Sequence, residues 1–208
     1  MAVILCYGDS NTHGTPPMDS LGVQSRHAPG TRWPDVMAER LGAAHRVIDE
    51  GLPGRTTVHD DRVEGGMRNG LTVLPAVLHS HRPIDLMLLM LGTNDLKQQF
   101  SVSSLDIARS VERLVLVTRA EAVVKDILIV APAPVRECGS LAGIFAGAEA
   151  RQEGLTGHLR DVAARQSCGF FDAGQVIAVS PVDGVHFAVE QHRLLGLALA
   201  RVVLDRLG

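Results

Sequence analysis

Short apolar segments alternate with longer segments of helical periodicity along this chain. The apolar segments are rich in Leu, Ile and Val, which is typical of strands that are buried on both faces of a sheet. Five strands are predicted, at residues 3–7, 46–49, 86–91, 127–131 and 169–172. Helices are predicted at residues 33–41, 105–124, 149–166 and 189–207. Strands that alternate with helices predict an α/β protein with a parallel sheet and helices on both of its faces.

Two of the predicted helices have a clear apolar stripe. In the helix at 105–124 the stripe consists of Leu105, Ala108, Val111, Val115 and Leu116. In the helix at 189–207 it consists of Leu194, Leu195, Ala198, Val202 and Leu207. We expect both stripes to face the sheet. His192 lies in the last helix, and we predict that it is exposed to solvent.

Composition excludes several classes of protein. The chain has 208 residues, of which 46% are hydrophobic and 21% charged, as expected of one globular domain over residues 1–208. The net charge of −3 and the scattered basic residues argue against a nucleic-acid partner. No segment approaches the roughly 20 apolar residues of a membrane helix, and no secretory signal is recognisable. We therefore predict a cytoplasmic protein without a membrane partner.

Chemically active residues follow the predicted strands. In parallel α/β sheets, ligands bind beyond the carboxyl ends of the strands, so the residues that follow each strand are the first candidates for a site. Four segments lie there or just before the last helix: Gly8-Asp9-Ser10-Asn11, residues 50–57, Gly92-Thr93-Asn94-Asp95 and Asp183-Gly184-Val185-His186. We expect all four to meet at one edge of the sheet.

These segments contain the groups needed for acyl transfer through a serine. Ser10 can act as the nucleophile if His186 removes its proton, and Asp183 can orient the imidazole. Three donors could stabilise an oxyanion: the backbone N–H groups of Ser10 and Gly54 and the side-chain amide of Asn94. Asp172, at the end of the last strand, is a less suitable acid, because Asp183 has the spacing of a local pair with His186.

Each of these residues also has an ordinary structural interpretation. A serine after Gly-Asp is more often a helix cap or a turn, and Asp-Gly is a common turn. The histidine pair His79 and His81 lacks the further ligands that zinc requires, so we predict no metal and no cofactor. The chain contains neither Gly-x-Ser-x-Gly nor, after the first strand, Gly-x-Gly-x-x-Gly. These absences argue against an α/β-hydrolase and a dinucleotide enzyme.

Together the four segments resemble the four sequence blocks of the SGNH hydrolases, also called the GDSL esterase/lipase family. Gly8-Asp9-Ser10 resembles the nucleophile block, Gly54 the glycine block, Gly92-x-Asn94-Asp95 the third block and Asp183-x-x-His186 the fourth. The resemblance implies a catalytic triad of Ser10, His186 and Asp183, with Ser10, Gly54 and Asn94 as oxyanion donors. It also implies a three-layer α/β/α sandwich around a flavodoxin-like, five-stranded parallel sheet.

The flanking residues are similar to the aryl esterase/acyltransferase (perhydrolase) branch of that family. The similarity lies in residues 4–10, 31–33, 50–52, 55–57, 89–97 and 171–174. It implies hydrolysis of short acyl esters, with water or an alcohol as the acceptor, in a homo-oligomer that narrows an apolar entrance. The chain departs from the branch at His13 and Thr15, where tryptophan is usual. These smaller polar residues predict a wetter pocket, so hydrolysis is favoured over transfer.

Six residues around these blocks are predicted to bind the substrate, a small acyl ester. They are Asn11, His13, Thr93, Ile144, Phe145 and Val185. Two alternatives to a short-chain serine esterase stay open at this point. One is a carbohydrate O-acetyl esterase, although the polar loops contain no aromatic platform for a sugar. The other is a flavodoxin-like binding module without catalysis, which would have no need for the full set of catalytic residue types.

Overall fold

A computed structural model describes residues 1–22 and 25–208 of the chain. Its centre is one parallel sheet of five strands in the order β2-β1-β3-β4-β5. The strands are β1 (Ala2–Gly8), β2 (His45–Gly51), β3 (Ile84–Met90), β4 (Val124–Ala131) and β5 (Gly169–Asp172). The predicted α/β fold is confirmed. The strand order reverses between β1 and β3, and this switch point is where ligands bind in such sheets.

Helices cover both faces of the sheet and create two apolar cores. The helices are α1 (Ser10–His13), α2 (Trp33–Leu41), α3 (Gly70–His81), α4 (Ser104–Ala120), α5 (Ala148–Arg151), α6 (Leu155–Arg165) and α7 (Val189–Leu207). Alternate residues of β1 belong to different cores. Leu5 and Tyr7 pack in the core under α3, α4 and α6, whereas Ile4 and Cys6 pack in the core under α2 and α7. Among residues 1–22 and 25–208, no helix is long and apolar enough to cross a membrane.

Two predicted helices are shorter than the sequence pattern indicated. The helix predicted at 105–124 ends at Ala120, because Ala122 has a φ of +54° and the chain enters β4 at Val124. The helix predicted at 149–166 is interrupted by Gly154, whose φ is +79°, so that α5 and α6 are separate. Both breaks are left-handed backbone conformations, which a hydrophobic pattern does not register.

The buried face of α4 differs in part from the prediction. Ala108, Val111 and Val115 are buried as predicted, but Leu105 and Leu116 lie at the edge of the stripe and are 51% and 43% exposed. The buried face of α7 is rotated relative to the predicted stripe. Of the predicted stripe residues only Leu195 is fully buried. The other fully buried hydrophobic residues of α7 are Leu199, Ala200 and Val203.

His192 on α7 is buried, contrary to the prediction. Its Nδ1 atom accepts a hydrogen bond of 3.3 Å from the backbone N–H of Trp33, at the start of α2. The ring also packs edge-on against His27 and Phe187. Burial, together with the nearby charge of His27, lowers the pKa of His192 from 6.5 to about 3. His192 is therefore a neutral acceptor that fastens α7 to α2.

We expect His192 to make the fold sensitive to acid. Because its pKa is lower in the folded than in the unfolded chain, the unfolded chain gains a proton first as pH falls below 6.5. Its contribution to stability is complete above pH 6.5 and declines towards pH 3, with about 2 kcal/mol lost by pH 5. Urea unfolding at pH 7.5 and pH 5 measures this loss.

The control variants for this prediction are His192→Asn and His158→Asn. The Oδ1 atom introduced by His192→Asn takes the place of Nδ1 as an acceptor for the Trp33 N–H but cannot be protonated, so the stability difference between pH 7.5 and pH 5 should shrink by about 2 kcal/mol. His158, a partly exposed residue of α6, should leave that difference unchanged when it is replaced. The same pH difference in His192→Asn as in the wild type would contradict the prediction.

Candidate active site

The first element of the site is the junction of β1 and α1. Asp9 is the N-cap of α1, and its Oδ1 atom accepts a hydrogen bond of 2.9 Å from the backbone N–H of Asn11. Gly8 is required for this tight junction, because a Cβ atom there would lie 2.0 Å from Thr12 Oγ1. Ser10 is thereby held at the first position of α1 and is 4% exposed.

Ser10, His186 and Asp183 form a continuous hydrogen-bonded chain. The Ser10 Oγ atom lies 3.0 Å from His186 Nε2, and His186 Nδ1 lies 2.7 Å from Asp183 Oδ2. Both distances are those of ordinary hydrogen bonds to an imidazole. The three residues predicted from the sequence as a triad are therefore adjacent in space, although 173 positions separate Ser10 from Asp183.

The Asp183 carboxylate is fully buried and accepts hydrogen bonds at both oxygens. Oδ1 accepts from the backbone N–H groups of Val185 and His186, both at 2.9 Å, and Oδ2 accepts from the Met18 N–H at 2.9 Å in addition to the imidazole. Burial alone would raise the pKa of this carboxyl, but the hydrogen bonds and charge of His186 more than offset that effect and lower it. Asp183 is thus a fixed anion that orients the imidazole.

The turn that carries Asp183 and His186 depends on glycine. Gly184 has a φ of +77°, and a Cβ atom there would lie 1.9 Å from the carbonyl oxygen of Arg136. The Arg136 N–H donates to the Gly184 carbonyl at 2.8 Å, which fixes the turn against the loop that follows β4. Asn11 anchors the opposite side, since its Nδ2 atom donates to the Val185 carbonyl at 3.0 Å.

The three predicted oxyanion donors lie at the ends of β1, β2 and β3 and all line one cavity. Among the described residues, the N–H groups of Ser10 and Gly54 have no protein acceptor. Asn94 Nδ2 donates to the Arg55 carbonyl at 3.1 Å and lies 3.5 Å from Asp9 Oδ2, so its second hydrogen bond is weak. This arrangement leaves polarised N–H groups available to a ligand oxygen.

Buried polar contacts tie the three strand ends together. Asp95 accepts hydrogen bonds from the N–H of Thr57, at 3.0 Å, and from its hydroxyl. Arg55 donates from Nη1 to the carbonyls of Gly8, at 2.9 Å, and Glu50, and its guanidinium lies 4.1 Å from the centre of the Tyr7 ring. These contacts connect the loop after β2 to β1 and to the block after β3.

The cavity beside Ser10 has a volume of about 650 Å³ and an apolar and a polar side. Of the six predicted substrate-binding residues, His13, Ile144, Phe145 and Val185 line it. Asn11 and Thr93 do not; both are buried behind the wall, where Asn11 binds the Val185 carbonyl and Thr93 begins a short 3-10 turn. The apolar side also contains Met18, Leu52 and Leu141.

The charged residues on the polar side of the cavity were not predicted as site residues from the sequence. Lys97 is 3% exposed, and its Nζ atom contacts Asp61 Oδ2 at 3.0 Å and Glu64 Oε1 at 2.6 Å. Arg68 lies next to this group, on the same cavity. A loop with many charged residues is usually solvated, and no local pattern indicates that residues 61–68 fold back over a pocket.

The comparisons with known proteins agree with this geometry. The model of the GDSL-like lipase/acylhydrolase family matches residues 6–194. A comparison with curated proteins gives no match. Among solved structures, the native aryl esterase of M. smegmatis is similar, with 38% identity, a TM-score of 0.91 and 99% of each chain covered.

Two solved structures from Sinorhizobium meliloti are equally similar. One is a carbohydrate acetylesterase family member with 40% identity and a TM-score of 0.92, covering 99% of this chain and 98% of that one. The other is the carbohydrate acetylesterase Est24, with 34% identity, a TM-score of 0.92 and 99% of both chains covered. On the family match and these likenesses, the chain belongs to the GDSL-like lipase/acylhydrolase family and is an esterase.

Proposed function

We propose that this esterase hydrolyses short-chain acyl esters through a covalent acyl-enzyme on Ser10. The observation that carries the proposal is the Ser10–His186–Asp183 chain, with contacts of 3.0 Å and 2.7 Å, which opens on a cavity of about 650 Å³. An imidazole held by a buried carboxylate and facing a serine hydroxyl is the arrangement that activates serine for acyl transfer.

The first half of the reaction transfers the acyl group to Ser10. The Oγ atom attacks the ester carbonyl while His186 Nε2 takes its proton, and the carbonyl oxygen becomes an oxyanion. The N–H groups of Ser10 and Gly54 and the Asn94 amide stabilise this oxyanion. The intermediate then collapses: the bond to the alcohol oxygen breaks, and the imidazolium returns the proton to the departing alcohol.

The second half of the reaction uses water. His186 Nε2 takes a proton from water as its oxygen attacks the acyl carbonyl, and the bond to Ser10 Oγ then breaks as the proton returns to Oγ. An alcohol in place of water would give a new ester.

The cavity wall near Ser10 favours water as the acceptor. Two polar residues, His13 and Thr15, line the cavity. Burial together with the charge of Arg26 lowers the pKa of His13. A polar wall admits water, so hydrolysis should dominate over transfer to an alcohol.

We expect kcat/KM to decrease from acetyl to octanoyl esters of one phenol. The side chains of Leu141, Phe145 and Val185 close the apolar side of the cavity and are 6%, 2% and 2% exposed, because they also belong to the core under α4 and α6. They cannot move aside for a long chain. Turnover of the acyl series, with and without a primary alcohol, measures the limit and the share of transfer.

Phe145→Leu is the matched variant for the chain-length limit. It removes part of the wall while leaving an apolar side chain, so the ratio of butanoyl to acetyl kcat/KM should increase severalfold. A flat acyl series in the wild type, or an unchanged ratio in Phe145→Leu, would contradict this account of the cavity. Ser10→Ala provides the blank for spontaneous hydrolysis of the activated esters.

A second candidate substrate is an acetylated carbohydrate. It is favoured by the two Sinorhizobium meliloti structures and by the polar side of the cavity, formed by Glu64, Arg68 and Lys97. Release of acetate from acetylated sugars, compared with an aryl acetate, distinguishes the two substrates.

Three further expectations from the sequence stay predictions. They are the assignment of residues 1–208 to one domain, the cytoplasmic location and the homo-oligomer.

A further inference from the structure

The peptide group between Pro53 and Gly54 lies at the centre of a tight turn. The Arg55 N–H donates to the Leu52 carbonyl at 3.0 Å, which closes the turn, and Gly54 has a φ of +78°. Proline in the second position and a positive φ in the third define a type II turn. Type I turns have the same closing hydrogen bond, but their central peptide is turned over, so the closing bond alone does not determine where the Gly54 N–H points.

Arg68 binds the carbonyl of this central peptide. Its Nη1 atom donates to the Pro53 oxygen, while its Nε atom donates to the Gly65 carbonyl at 2.7 Å. The backbone of Arg68 is fixed as well, because its carbonyl accepts a hydrogen bond of 2.9 Å from the Thr56 N–H. The guanidinium is therefore anchored at both ends, and its side chain is 23% exposed.

A planar trans peptide directs its C=O and N–H in opposite directions. A donor that holds the Pro53 carbonyl on one side therefore holds the Gly54 N–H on the other, where the described residues offer it no acceptor. Gly54 also makes room for the guanidinium, since a Cβ atom at this position would lie 2.1 Å from Arg68 Nη1. Glycine is needed here for its positive φ and for this contact.

We infer that Arg68 is a positioning residue for oxyanion stabilisation, and this inference rests on the proposed function. By binding the Pro53 carbonyl, Arg68 keeps the central peptide in the type II orientation, with the Gly54 N–H available to the substrate oxygen. The bond is charge-assisted and withdraws electrons from the same peptide group, which strengthens its N–H as a donor. Arg68 does this without touching the reacting atoms.

The test is the steady-state kinetics of Arg68→Met on aryl acetates and aryl butanoates. Loss of one oriented donor acts on the transition state, so kcat should fall about 10- to 100-fold, with KM within about threefold. The factor by which kcat falls should be the same for every acyl group and leaving group, because the Gly54 N–H binds the oxyanion, which forms in the reaction of every ester. Arg62→Met, an exposed residue of the same loop with the same change of charge, should be unaffected.

A double-mutant cycle with Gly54→Ala tests whether Arg68 acts through the peptide group between Pro53 and Gly54. Alanine at this position disfavours the type II turn and displaces Arg68, so Arg68→Met should lower kcat less than about threefold further in that background. An unchanged kcat in Arg68→Met, a loss confined to KM or to one leaving group, or full additivity with Gly54→Ala would each overturn the inference. Activity remaining in Ser10→Ala would instead overturn the proposed function, so the two failures are distinguishable.

Discussion

Ser10→Ala is expected to lower kcat on an aryl acetate roughly 10⁴- to 10⁶-fold, because the members of a triad act as a unit. The Ser10 hydroxyl has one protein partner among the described residues, His186 Nε2, so its removal costs the fold little. The measurement is kcat/KM of the purified variant together with its thermal unfolding midpoint. The midpoint should stay within a few degrees of the wild type.

A covalent probe provides the decisive control. An aryl phosphonate should add a single mass increment to the wild type, located on the peptide that contains Ser10, and none to Ser10→Ala. Ser80→Ala, on the exposed side of α3, should label and turn over like the wild type. Turnover in Ser10→Ala above a few per cent of the wild-type value would show that another group is the nucleophile, and the proposed mechanism would fall.

The sequence predicts much of the candidate site because its members lie at strand ends or close together in the chain. Asp183 and His186 are three residues apart on one turn, and their hydrogen bond is local. Ser10 and Asn94 follow β1 and β3, which are neighbours at the switch point of the sheet. Once a parallel sheet is predicted, the positions of these residues follow from the topology alone.

The polar side of the cavity could not be predicted in the same way. Lys97, Asp61 and Glu64 are charged residues, and charged residues are almost never buried unless they are paired. Their pairing depends on how residues 61–68 fold back over the end of β3, which no periodicity encodes. The contact of Arg68 is still harder to predict, because Arg68 binds a backbone carbonyl, and every residue has one.

His192 shows a similar limit within a helix. A histidine can lie on either face of a helix, and the sequence does not show that the Trp33 N–H at the start of α2 needs an acceptor. The break at Gly154 could not be predicted for another reason. A single glycine is tolerated in many helices, so its presence does not by itself indicate that a helix ends. Hydrophobic patterns thus predict which elements form, while hydrogen-bond partners from distant segments decide their ends and their buried polar residues.

Asp183→Asn is expected to lower kcat about 10³- to 10⁴-fold while leaving Ser10 and His186 in place. The side-chain oxygen of the introduced asparagine will face the N–H groups of Val185 and His186, which donate to Oδ1 in the wild type. Its NH₂ group then takes the place of Oδ2 and donates to His186 Nδ1, and the Met18 N–H loses its acceptor. The imidazole must carry its proton on Nε2, where it can no longer accept the proton of Ser10.

Asp172→Asn is the matched control, because Asp172, the last residue of β5, is the less suitable acid that the sequence also offers as a partner for His186. Its Oδ1 atom accepts a hydrogen bond of 3.0 Å from the Gly174 N–H, which an amide oxygen can replace, so kcat should stay within about twofold. The measurements are kcat and KM at pH 7.5, with unfolding midpoints for both variants. If Asp172→Asn lost activity and Asp183→Asn kept it, the orienting acid would be Asp172, and the four acceptor contacts of Asp183 would be purely structural.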